Sequence, residues 1–415
     1  MSDRIVAVRA VDQRYELPPG AGSDALHVDP RYSYAVTLIE LEDGEYGTGL
    51  AFTLGRGNEV VTRAIEAYAP FLVGESLGSI MPQFARFWRR LAEESQLRWL
   101  GPQKGAIHLA LASISSALVD AWALQKQQPL WQLLLELRPE ELIEWVDLTY
   151  LDDFLAREEA LDLLSRHVDV PWEGHPLIVD GYPAYNTAVG WLGYDETVVV
   201  RNCREQLAAG FGALKLKVGS QDLETDVRRI RAVREAVGPH VRLMLDANQR
   251  WNVRQAIEAG RALAPSDCFW LEEPTHPDDI FGYRDIARAV APLKVAGGEH
   301  VPNAVLFKNL IRAGAIQFVQ ADVVRLGGLP EFLAVMLMSR KAGLPVVPHA
   351  GDMGQIHQHL AVWQSIRLGV EPLHLEYISH LRERFVTPVQ VEAGLYRLPG
   401  VPGASTQLVG VAPHV

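Results

Sequence analysis

The chain has 415 residues, 48% of them hydrophobic, with 39 lysines and arginines against 51 acidic residues and a formal net charge of −12. That length allows two domains, or a barrel of about 250 residues with one addition, while the excess of acid excludes a nucleic-acid backbone or an anionic membrane as the main partner. Cys203 and Cys268 are the only cysteines; they form neither a disulfide framework nor a Cys-x-x-Cys metal site, which suits a reducing cytosol. The first residues lack a secretory apolar run, and no stretch approaches the roughly 18 consecutive apolar residues of a membrane span, so a cytoplasmic protein is expected.

In chain order, residues 5–15 alternate as a strand, and 34–40 with 45–53 around Asp43-Gly44 read as a hairpin. Between them, 18–30 is rich in Pro, Gly, Ser and Asp, the composition of a mobile loop. Helices are predicted over 59–72, 80–91 and 106–124, the last so apolar that it belongs in a core. This block of about 130 residues reads as an α+β lobe. No low-complexity linker follows it, so any domains share a close interface.

From about residue 180 onward, short apolar strands alternate with helices predicted over 223–237 and 253–263. Six of the strands end on ionisable groups, Lys217, Asp246, Glu272, Glu299, Asp322 and His349, at intervals of 29, 26, 27, 23 and 27 residues. The period continues to Glu376 in another short strand. Each interval holds one strand, one helix and two loops, which implies right-handed crossovers and a parallel sheet. A charged group at nearly every strand end predicts an α/β fold of the (β/α) barrel kind, because a barrel brings all its strand ends to one mouth. An open doubly wound sheet is the competitor, but no Gly-x-Gly-x-x-Gly or Walker sequence is present.

Asp246, Glu272 and Glu299 come from successive strand ends, and three carboxylates so close repel one another unless a cation intervenes. Oxygen ligands without cysteine favour a hard ion, Mg²⁺, over zinc. His357 and His359, on a predicted helix, read as polar-face or packing residues without a metal role. Lys215 and Lys217 share one face of their strand by its two-residue period. If that face is the barrel interior, each lysine lowers the other's pKa and the nearby cation lowers it further, making an amine usable as a base; outward-facing lysines are the alternative. Asp322 beside His349 would fix the imidazole tautomer and raise its pKa, producing an acid able to protonate a leaving group. Lysine, metal and His/Asp together describe removal of a proton α to a carboxylate.

At these residues the chain resembles the enolase superfamily, in the group of mandelate racemase, muconate lactonizing enzyme and the acid-sugar dehydratases. The likeness rests on Lys215-Leu-Lys217, Asp246-Ala-Asn-Gln249, Glu272-Glu-Pro274, Gly298-Glu-His300, Gln320-Ala-Asp322 and Pro348-His-Ala350. It implies Asp246, Glu272 and Glu299 as Mg²⁺ ligands, Lys217 as base with Lys215 as its electrostatic partner, and His349 with Asp322 as the opposing acid/base. Asn248, His300 and Glu376 are implied as substrate contacts.

Gly22-Ser-Asp-Ala25, Gly55-Arg-Gly-Asn58, Ser95-Gln-Leu-Arg-Trp-Leu-Gly-Pro102, Gly181-Tyr-Pro-Ala-Tyr185 and Gly190-Trp-Leu-Gly-Tyr194 look like L-fuconate dehydratases over nearly the whole chain. That resemblance implies a capping domain over 1–135, a barrel over 136–384 and a segment over 385–415 that returns to the cap. It makes Ser23, Asp24, Arg98 and Trp99 candidate specificity contacts. One departure stands out: where those enzymes typically run His-Ala-Gly-Gly-Val-Gly-Leu-Cys-Glu, this chain reads His349-Ala-Gly-Asp-Met-Gly-Gln-Ile-His357.

The function expected is therefore a Mg²⁺-dependent dehydratase of L-fuconate or a related aldonate, with a small acid sugar as its partner and a homo-oligomeric assembly. The alternatives are a racemase or epimerase on the same groups, or a non-catalytic scaffold. Three unbridged carboxylates would cost a scaffold stability for no return.

Overall fold

The computed structural model describes residues 3–413. β1 (Ile5–Tyr15), β2 (Tyr32–Leu41) and β3 (Tyr46–Thr53) form an antiparallel sheet in that order. The helix Gly105–Gln125 lies across it. Its approach depends on Gly47 and Gly49 of β3, where any Cβ would collide with the helix backbone at Ala117 and Ser113. Ser113 Oγ donates into the sheet, within 2.9 Å of the Gly49 carbonyl and 3.1 Å of the Ala35 carbonyl.

By length and composition this helix could cross a membrane, but 78% of its apolar window is buried within the fold, in keeping with the core position expected of it. It is a core helix whose polar residues are bonded internally. Pro70 and Pro82 account for two other departures. The helices expected over 59–72 and 80–91 give way to 3₁₀ turns at Ala69–Phe71 and Met81–Gln83, because proline cannot continue the i to i−4 ladder.

Asp120 on the core helix accepts the Thr48 N–H at 2.9 Å and the Ala404 N–H at 2.7 Å, so one carboxylate joins the cap sheet to the C-terminal segment. Burial pushes its pKa up to about 6. Asp120→Ala leaves two buried donors unpaired, at about 1–3 kcal/mol each, and urea unfolding should show a loss of that order. Because the folded pKa lies above the unfolded one, the group's contribution is full below about pH 4 and is lost as pH rises through about 6. Wild-type stability should therefore carry a declining component over that window that Asp120→Ala lacks.

The barrel runs β4 (Tyr182–Gly190), β5 (Ala213–Lys217), β6 (Arg242–Asp246), β7 (Trp270–Glu272), β8 (Lys294–Gly297) and β9 (Phe318–Val319), each parallel to the next, and β10 (Leu375–Tyr377) closes it on β4. Between β9 and β10, residues 345–349 make no regular strand. Pro345 and Pro348 remove ladder donors, yet the segment holds its place through Val319 N–H to the Pro345 carbonyl at 3.0 Å and Val347 N–H to the Val319 carbonyl at 2.8 Å.

β5, β6 and β7 end on Lys217, Asp246 and Glu272, whereas Glu299 and Asp322 lie just beyond their strands. β4 was not legible as the first barrel strand, because Pro183, Asn186, Thr187 and Gly190 interrupt its apolar run. Gly190 is required there: a Cβ would lie 2.7 Å from Leu216 Cα. The helices Leu223–Val237 and Val253–Leu263 match expectation.

Tyr185, Ala213, Met244, Trp270, Ala296, Phe318 and Val347, one from each of seven successive barrel segments, pack into a buried layer. This layer is a floor, so the strand ends above it face a closed-bottomed mouth. β11 (Gln390–Glu392) and β12 (Leu395–Arg397) form a hairpin on β4. The chain then runs to the cap, where Thr406 Oγ1 donates to the Thr48 carbonyl at 2.5 Å.

Candidate active site

The strand period turns both Lys215 and Lys217 into the barrel, with side chains 0% and 7% exposed. Lys215 Nζ lies 2.6 Å from Glu272 and 2.8 Å from Glu376; Lys217 Nζ lies 2.5 Å from Asp246. Burial pulls both ammonium groups down, but the surrounding carboxylates, led by Glu272 for Lys215 and Asp246 for Lys217, outweigh it and leave both above the ordinary range. Lys215 does lower Lys217, as expected.

One oxygen from each of Asp246, Glu272 and Glu299 lies within 4.8 Å of the others, and all three residues are buried. Burial drives the Glu272 carboxyl upward, with Asp246, Glu376 and Glu299 adding to the rise against Lys215. An oxygen-only set of three carboxylates fits a hard divalent cation. The turns beyond β6 and β7 hold Asn248, Gln249 and Glu273 at φ of 42°, 64° and 42°, left-handed conformations that non-glycine residues adopt at some cost. Asn248 donates its backbone N–H to Asp246 Oδ1 at 2.9 Å and lines the cavity.

Glu273, fully buried, accepts from Gln249 Nε2 at 2.9 Å and faces His300 Nδ1 at 3.1 Å. Burial lowers His300, but Glu273 and Glu299 prevail and carry it to about 10. Sequence reasoning used only the first glutamate of Glu272-Glu-Pro274; the doubled acid was the available signal for the second.

On the far side, His349 Nδ1 lies 2.8 Å from Asp322 and Nε2 lies 3.1 Å from Glu299. Against the lowering effect of burial, Glu299 and Asp322 raise His349 to about 9. Burial raises Asp322, but the protonated His349 beside it holds it well below the carboxylate range. His357 is a buried packing residue. Its helix, Ile356–Arg367, is buried along its length, and its Nε2 accepts the Val323 N–H at 3.0 Å while lying 3.2 Å from Asp322. His359 is a satisfied packing residue, accepting from the Trp131 N–H and facing Ser405 Oγ.

Glu376 meets Lys215 inside the barrel, and both Glu376 and His300 line the cavity. Asp24 reaches it from the cap, its carboxylate accepting the Leu26 and His27 N–H groups and lying 3.0 Å from His27 Nδ1. Ser23 is buried in the same loop, but its hydroxyl accepts the Asp29 N–H at 3.0 Å and acts as a brace of the loop. Arg98 and Trp99 are not brought to the cavity. They sit on the 3₁₀ turn Arg98–Leu100 that leads into the core helix, Trp99 is 90% exposed, and neither lines the site. Unforeseen lining residues include His27, Tyr32, Trp191 and Arg325. Arg325 donates to the carbonyls of Glu299 and Phe52, tying the metal-ligand loop to the cap.

A cap over a (β/α) barrel, with lysines and an imidazole facing each other across clustered carboxylates, defines an enzyme of proton abstraction next to a carboxylate. The mandelate racemase/muconate lactonizing enzyme N-terminal domain model matches residues 8–134, and the enolase C-terminal domain-like model matches 198–410. The chain belongs to the enolase superfamily, in the mandelate racemase/muconate lactonizing enzyme group.

The solved structure of human mitochondrial enolase superfamily member 1 superposes with a TM-score of 0.94 at 40% identity, covering 98% of this chain and 94% of that one. L-galactonate dehydratase of Hypocrea jecorina is 39% identical over 401 residues, 93% of this chain and 88% of that protein. L-talarate/galactarate dehydratase from Salmonella typhimurium, solved with Mg and L-lyxarohydroxamate, superposes with a TM-score of 0.78 at 26% identity, covering 99% and 92% of the two chains.

Proposed function

We propose that the chain is a Mg²⁺-dependent acid-sugar dehydratase acting on an aldonate, L-fuconate or L-galactonate among the candidates, and releasing a 2-keto-3-deoxy acid. The observation that carries this reading is the placement of Lys217 and of the His349–Asp322 pair across the cavity from each other, with the carboxylates between. Relatives named as dehydratases of galactonate and of talarate and galactarate support the reaction class, and a relative solved with Mg supports the ion.

Lys217 takes the C2 proton, so the C2–H bond breaks and its electron pair moves into the substrate carboxylate. Asp246, Glu272 and Glu299 would hold Mg²⁺, which would supply positive charge beside the substrate carboxylate as it gains electron density. Lys215, buried against Glu272 and Glu376, keeps a second positive charge beside Lys217 and favours its neutral form. His349, its Nδ1 held by Asp322, gives the Nε2 proton to the 3-hydroxyl. The C3–O bond then breaks, water departs, and the enol tautomerises by taking a solvent proton at C3.

The cap side of the cavity favours a monoacid. Asp24 stands there as a carboxylate, and the guanidinium of Arg325 is already engaged by two carbonyls. A second substrate carboxylate would meet like charge. A library of aldonates and aldarates, assayed for semicarbazide-reactive product, should yield turnover among the aldonates. An aldarate consumed as fast as the best aldonate would contradict the assignment.

A further inference from the structure

Lys217 has one neighbour that the carboxylates do not account for. Trp191, directly after β4, is buried at 2% exposure and places its indole ring 5.3 Å from Lys217 Nζ. The indole N–H donates to His380 Nε2 at 3.0 Å, and the two rings lie 5.7 Å apart at an interplanar angle of 31°. An imidazole that accepts at Nε2 carries its proton at Nδ1 and is neutral. Burial enforces this by pushing His380 down to about 4.

His380 is itself held in place. The preceding Ile378 and Ser379 N–H groups both donate to Asp352, at 2.9 and 2.7 Å, and Ser379 has a left-handed φ of 68° that lets successive donors converge on one carboxylate. Asp352 stands where L-fuconate dehydratases typically carry the second glycine of His-Ala-Gly-Gly. A glycine has no side chain to accept those two bonds, so the departure in this stretch acquires a physical role.

We propose that Trp191, braced by His380 and the Asp352-bound turn, stabilises the positive charge that develops on Lys217 Nζ as it takes the C2 proton. The inference rests on Lys217 being the base. The indole face gains little against a neutral amine. As the C2–H bond breaks and the new N–H bond forms, an ammonium appears over the ring and is attracted by its quadrupole. An interaction stronger in the transition state than in the ground state enters kcat and leaves KM nearly untouched. Trp191 and His380 are thus positioning residues that act through Lys217.

The test uses the full chain with Mg²⁺ and the best-turned-over aldonate of L-fuconate and L-galactonate, unlabelled and deuterated at C2. Trp191→Leu should lower kcat by about 3- to 30-fold, and Trp191→Phe, which keeps a weaker ring, by less. His380→Leu should fall in the same range, and His380→Gln, which keeps an acceptor, should recover most of the loss. KM should stay within about twofold, and the C2 deuterium isotope effect on kcat should rise in each slowed variant. Adding His380→Leu to Trp191→Leu should cost nothing further.

Parent kcat in Trp191→Leu, losses that multiply in the double variant, or a loss confined to KM with an unchanged isotope effect would each overturn the proposal. Should His380→Leu fail to fold, Trp191→Phe, Trp191→Leu and His380→Gln decide alone. A parent enzyme that releases no keto acid from any aldonate shows, before any variant is made, that the dehydratase reading has failed, whereas a Lys217→Ala variant that still exchanges the C2 proton with D₂O at the parent rate removes the base and overturns the inference.

Discussion

Lys217→Ala abolishes dehydration, with kcat lowered at least by the roughly 10²- to 10⁴-fold that a positioned base contributes, while calorimetry still registers Mg²⁺ binding. No other lysine substitutes: Lys215 is fully buried, with its Nζ committed to Glu272 and Glu376. Metal binding survives because Asp246, Glu272 and Glu299 are untouched. Removing an ammonium 2.5 Å from Asp246 also takes away a competing cation, so Mg²⁺ affinity should hold or rise. If the variant exchanges the C2 proton with D₂O at the parent rate, the base lies elsewhere.

His349→Asn separates the two halves of the reaction. Asparagine keeps a polar group at the site but cannot supply the proton that departs with the 3-hydroxyl. Keto-acid release should fall by about 10²- to 10⁴-fold, while Lys217, on the other side of the cavity, continues to exchange the C2 proton. NMR in D₂O reads both quantities in one tube: deuterium accumulates at C2 of unreacted aldonate and product signals are nearly absent. Loss of C2 exchange to the same degree as elimination would place His349 in proton abstraction instead.

How far the sequence revealed this site depended on whether a residue's role follows from periodicity. Lys217, Asp246 and Glu272 end regular strands, so the strand and helix repeat located them, and the two-residue period of β5 placed Lys215 on the same face as Lys217. Glu299, Asp322 and His349 lie past ragged or missing strand ends and were located only because the spacing of the repeat survives the raggedness. β4 escaped because Gly190 answers to close packing, and Asn186 and Thr187 to hydrogen bonds with Gln206 and Glu376, and not to alternation.

The cap contributions were the least legible. Asp24 reaches the cavity, but Ser23 spends its hydroxyl inside its own loop and Trp99 faces solvent. Local sequence carries no record of which loop residues fold back onto a distant barrel. The same limit hid Trp191 and His380, whose contact spans 189 residues of chain.

The central claim is that proton abstraction by Lys217 is coupled to loss of the 3-hydroxyl. Incubation of the Mg²⁺-loaded protein with L-fuconate and L-galactonate in D₂O, followed by NMR, tests it directly. A 2-keto-3-deoxy acid carrying one deuterium at C3, formed with Mg²⁺ and not with a chelator, is the predicted result. Stereoisomers deuterated at C2 with no keto acid would identify an epimerase and contradict the account.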